Sequence, residues 1–106
     1  GRDPQAWSAL PKAMLRGDVA FVKDWTAPQI IDALHKLCHD VMAHQSGARP
    51  RFFNVSDLCG PVSFSALSGW SKALADAMRT MEHPFNPGLM QEALVARAKT
   101  ALTSHH

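Results

Sequence analysis

Three residues on one short stretch, His35, Cys38 and His39, have the types and spacing to bind a metal. Positions three and four apart share a face if the stretch is helical, and imidazole and thiolate are zinc ligands. A fourth ligand would have to come from Cys59, His44 or His83. A structural zinc site ordinarily brings a tighter framework of paired Cys-x-x-Cys units, and the chain has none. The plainer reading puts Cys38 in an apolar stripe with both histidines at its wet margin. The chain is therefore expected to hold no metal and no cofactor.

Catalysis finds less material. Cys38, Cys59 and the serines are the available nucleophiles, and none lies in a glycine-rich elbow or beside an evident base. Gly17, Gly47, Gly60, Gly69 and Gly88 are isolated, so no loop is built to cradle phosphate. Asp76 and Glu82 do not form a carboxylate pair on one face. No catalytic residue is assigned, and the domain is expected not to be an enzyme.

Two further groups suit binding. Arg49-Pro50-Arg51-Phe52-Phe53 interleaves basic and aromatic side chains, which could grip phosphates and stack on bases. Read structurally, the two phenylalanines anchor a loop onto the core with Val55 and Leu58, and the arginines are solvated. Trp70, Met78 and Met81 form a stripe for which core packing is the default and which would also suit a protein interface. Arg79 and Arg97 would then stand at the rim. Trp70, Met78, Arg79 and Arg97 are the expected partner contacts.

The elements that must position these groups are helical. Asp3-Pro4 starts a helix carrying Trp7, Leu10 and Met14, which Pro11 should kink or restart and Gly17 should stop. Asp18 can cap a short helix through Val19, Phe21 and Val22. Thr26 and Gln29 fit a capping box. The helix it opens has Ile30, Leu34, Leu37 and Val41 on one stripe, with Ile31, Cys38 and Met42 beside it. Asp32, Lys36 and Asp40 occupy its other face at successive steps of four. Ser46-Gly47 ends it. Residues 48–61 read as a long connection with one helical turn near Ser56.

Ser63 caps the clearest helix, through Phe64, Leu67, Trp70, Leu74, Met78 and Met81, with Lys72 and Asp76 paired on the wet side. His83-Pro84 breaks it. Asn86-Pro87 starts a last helix with Met90, Leu94, Ala98 and Ala101 on one face and Leu89, Ala93 and Ala96 on the next. So wide an arc predicts neighbours on two sides. The short link predicts that the last two long helices are antiparallel neighbours.

The sum is a single all-α domain, a bundle of about three long helices with two or three short ones. Its 106 residues hold one domain, 46% of them apolar, with Tyr absent. A net charge of +2 is low for a domain built mainly to hold nucleic acid. Two cysteines far apart in sequence suit free thiols in a reducing cytoplasm. No apolar run approaches the ~20 residues of a membrane span, and no secretory leader is read. A first residue Gly1 suggests a piece of a longer chain, so Gly1, His105 and His106 are left out of the functional reading.

Two segments carry a resemblance: residues 30–53, IIDALHKLCHDVMAHQSGARPRFF, and residues 67–102, LSGWSKALADAMRTMEHPFNPGLMQEALVARAKTAL. With the Trp-x-x-Leu-Pro-Lys start at Trp7, they resemble the C-terminal collar domain of the delta-prime subunit of bacterial DNA polymerase III. The likeness covers residues 7–102. It implies a part in the clamp loader, in which delta-prime joins delta and three copies of gamma or tau in a five-subunit ring. Helical C-terminal domains form the collar that holds that ring together. ATPase-like modules below it open and close the sliding clamp on primed DNA during replication. The chain lacks the family's Walker-type loop, four-cysteine zinc module and Ser-Arg-Cys motif, which lie upstream, so no role in ATP or zinc binding passes to any residue here. The resemblance implies gamma or tau and delta as partners, and association with clamp and DNA only through the full complex. The alternative expectation is a helical nucleic-acid-binding domain using Arg49, Arg51, Phe52 and Phe53.

Overall fold

A computed structural model describes residues 4–80 and 86–105. They form four α-helices and two short 3-10 turns, with no strand among the described residues. Helix α1 spans Pro4–Arg16, α2 Ala27–Gln45, α3 Phe64–Thr80 and α4 Pro87–Leu102. The turns cover Val19–Val22 and Val55–Asp57. Asp3, Met81, Glu82 and the His83-Pro84 break lie outside the described residues.

The helix starts follow capping chemistry. Thr26 Oγ1 accepts from the Gln29 N–H at 3.3 Å, and Gln29 Oε1 accepts from the Thr26 N–H at 2.9 Å. Ser63 Oγ accepts from Ala66, and Asn86 Oδ1 from Leu89. Pro28 and Pro87 sit in first turns, where a missing N–H is harmless. Gly17 and Gly47 close α1 and α2 with φ of +71° and +86°, a region costly for residues with a Cβ.

Pro11 does not restart the first helix, since α1 is a single helix with that proline inside it. Asp18 corrects an expectation: it makes no side-chain cap and instead faces Arg16 at 3.6 Å.

Helix α2 packs on α3 and α4, and α4 also packs on α1 and α3. Between them lie Leu10, Met14, Ile30, Ile31, Leu34, Leu37, Val41, Leu67, Trp70, Leu74, Val95, Ala98 and Leu102, all buried. The α2 stripe is as the spacing predicts. On α3 Leu67, Trp70 and Leu74 are buried and Ala77 packs against them at the core's edge, while Phe64 and Met78 are exposed. On α4 the buried arc widens from Leu94, Ala98 and Ala101 toward Val95 and Leu102. Leu89, Ala93 and Ala96 are exposed instead, with no described element packed over them.

Candidate functional site

The loop after α2 is built around a carboxylate that the sequence pattern places in water. Asp40 is fully buried. Its Oδ1 accepts from the Arg51 N–H at 2.9 Å, and its Oδ2 from the N–H groups of Phe52 and Phe53 at 2.7 and 2.8 Å. His39 Nδ1 lies 3.0 Å from Oδ1; an ionised carboxylate can only accept, so that nitrogen carries the proton. Burial alone would raise the Asp40 pKa. The bonds from Arg51, His39, Phe52 and Phe53 outweigh it and hold the group below its ordinary value. A buried charge is tolerable when hydrogen bonds replace its water, as they do here.

This clamp fixes the aromatics. Phe53 is buried and stacks on Trp7 of α1, with centroids 4.6 Å apart and planes 9° from parallel. The Trp7 indole N–H donates to the Phe52 carbonyl at 2.8 Å. Phe53 thus anchors the loop, as the structural reading of that segment expects. Phe52 stays 36% exposed with its ring edge-on to His39. Lys36 Nζ and the Arg51 guanidinium each lie 5.5 Å from the Phe52 centroid, within cation–π range. Arg49 and Arg51 are exposed.

Gln45 and Gln91 act in the same way on other connections. Gln45 accepts from the Val62 N–H at 2.5 Å and donates to the Val62 carbonyl at 2.7 Å. The Gln91 amide reaches the carbonyls of Val22, Lys23 and Trp25 at 2.9 to 3.1 Å. Sequence reasoning misses all three polar groups. For Asp40 a signal existed: it follows Ala33 and Leu37 at helical steps of four and three, on an apolar edge.

The metal candidates do not converge. Cys38 Sγ faces the Leu67 carbonyl of α3 at 3.5 Å and Met42 Sδ at 4.0 Å, while His39 turns to the loop. Burial pushes the Cys38 thiol up to about 11, so it is no ready thiolate. Among the described residues no three His, Cys, Asp or Glu side chains are grouped as a metal site would need.

The four expected partner contacts do not form one surface either. Trp70 is fully buried and is corrected to a core residue; its indole N–H has no hydrogen-bond partner among the described residues. Arg79 is exposed and pairs with Asp76, which therefore does not serve Lys72. Arg97 of α4 is exposed and lies across Gly69 of α3, 3.9 Å from where a Cβ would stand. Met78 is nine residues beyond Gly69, which at 100° per residue is the opposite side of α3. Phe64 and Met78, 42% and 43% exposed, are the two ends of the same α3 stripe that buries Leu67, Trp70 and Leu74 in its middle. An exposed stripe runs along α4 through Leu89, Ala93 and Ala96, with Leu89 at 62%.

No described helix is long and apolar enough to cross a membrane. Compared with protein-family models, curated proteins and solved structures, the chain matches none.

Proposed function

We infer that this domain is a non-catalytic assembly module that packs between two protein neighbours, as the collar domain of a clamp-loader subunit does. The observation that carries the reading is uncovered apolar area in two places, the α3 ends at Phe64 and Met78 and the α4 stripe of Leu89, Ala93 and Ala96. A ring member needs two different faces, because head-to-tail association meets a neighbour on each side. Ala93 and Ala96 let a partner helix come close, and Leu89, Phe64 and Met78 supply apolar area. The resemblance of residues 7–102 to the delta-prime collar names gamma or tau and delta as the neighbours, in a cytoplasmic replication complex.

The test is co-elution with light scattering, mixing the domain with the C-terminal domains of gamma or tau and of delta. The expected result is a mixed complex that Leu89→Glu weakens on one side and Met78→Glu on the other. If both variants leave a complex untouched, these apolar areas are not the interface. If the domain ignores both partners, and full-length subunits also fail, the collar reading is wrong.

A further inference from the structure

The Asp40-clamped loop is a further surface, made of residues that the two apolar areas do not use. We propose that Lys36 and Arg51, which lie beside the part-exposed ring of Phe52, form with exposed Arg49 of the same loop a binding site for single-stranded nucleic acid.

Charge is the first argument. Lys36, Arg49 and Arg51 come from two segments, α2 and the loop, and two of them converge on one ring. Asp32 opposes Lys36 at 2.9 Å. The other nearby carboxylate, Asp40, is buried, and its oxygens accept inside the fold. The outward surface keeps an excess of cations although the whole chain carries only +2. An anionic ligand fits it.

Shape decides which anion. A peptide carboxylate would use the arginines and leave Phe52 without a purpose. An unpaired base has a flat face to lay on that ring once the mobile Lys36 and Arg51 side chains swing from it to the neighbouring phosphates. A duplex hides its base faces, so the ring selects for single strands. Phe53 cannot take this part, since Trp7 already covers it.

Preorganisation is the third argument. The backbones of Arg51, Phe52 and Phe53 are each held by Asp40, and Trp7 holds the Phe52 carbonyl. Binding then orders side chains only, which keeps the entropic cost low.

The experiment is fluorescence anisotropy of a labelled oligothymidylate of about 12 nucleotides across a salt series, a length within the usual site size of a single-strand binder. Binding should weaken linearly with log salt. Arg49→Ala and Arg51→Ala should each lower that slope by about 0.7. Phe52→Ala should weaken binding about fivefold or more, the loss expected for one stacked base. Phe52→Leu keeps the apolar bulk and removes the flat face; it should bind as weakly with an unchanged melting temperature, which separates stacking from folding. The proposal fails if no binding appears at low salt, or if the arginine and Phe52 variants bind like the parent. It also fails if polyglutamate displaces the oligonucleotide at equal charge concentration, because the surface is then a plain cation exchanger.

Discussion

Asp40 on α2 and Asp76 on α3 look alike in sequence, each a lone acid late in a long helix with basic residues near it. In the fold they have nothing in common. Asp40 is fully buried and holds three consecutive backbone N–H groups of a distant loop. The Asp76 side chain is 66% exposed and its carboxylate pairs with Arg79, one turn along its own helix. The difference lies in what each helix has beside it. A loop crosses α2 at Asp40 with unpaired donors, whereas water covers that side of α3. A carboxylate is structural where backbone donors need an acceptor and water cannot supply it.

The contrast breaks first at Asp40 itself. Asp40→Ala should cost about 3–5 kcal/mol in urea unfolding, since it strands buried N–H groups and frees the loop. A loss under about 1 kcal/mol would mean that water replaces the carboxylate and the clamp is incidental. Acid should act in the same place. The Asp40 pKa is lowered in the folded state, so its contribution is fully present above the unfolded value of about 3.9 and is lost as pH falls through the lower folded value. Stability measured from pH 6 down to 2 should fall at the acid end, and Asp40→Asn should lack the part of that fall due to this residue.

Gln91 sharpens the comparison with an uncharged equivalent. Gln91→Ala removes an amide shared by three carbonyls and should cost about 1–2 kcal/mol, read from the shift in urea midpoint at constant slope. On the α3 side the effects should be small or of opposite sign. Gly69→Ala meets only the Arg97 guanidinium at ordinary contact distance and should raise stability by about 0.5–1 kcal/mol through helix propensity. If it lowers stability, the Arg97 contact matters more than the backbone. Asp76→Ala should change the unfolding free energy least, by under about 0.5 kcal/mol in urea unfolding, as exposed pairs do.

How much of this was legible in the sequence follows from the distance over which each interaction acts. The caps at Thr26, Ser63 and Asn86 are local chemistry, spelled within four residues, and they stand where the residues put them. The α2 stripe is legible because a period of 3.6 needs no knowledge of its partner. Asp40 was not, because its acceptors' partners lie 11 to 13 residues away in a segment without periodicity. Trp70 stays ambiguous between core and partner contact for a related reason: a Trp on an apolar stripe has the same spacing whether its neighbour is this chain or another. Leu89, Ala93 and Ala96 repeat that ambiguity in reverse, as an apolar face that no part of the described chain covers. Of the loop site, the basic and aromatic alternation was visible. Which of the two phenylalanines would be left in the open was not, since Trp7 decides it from the other end of the chain.

The amide of Gln91 gives the domain a schedule. It closes the turn at residues 22–25 from 66 to 69 positions downstream, and α4 is also a principal neighbour of α1. During synthesis the first helix therefore leaves the ribosome long before the α4 surface it rests on exists. The seat of α1 on α4 forms only after residues 87–102 have been added, whereas the stack of Trp7 on Phe53 is possible much earlier.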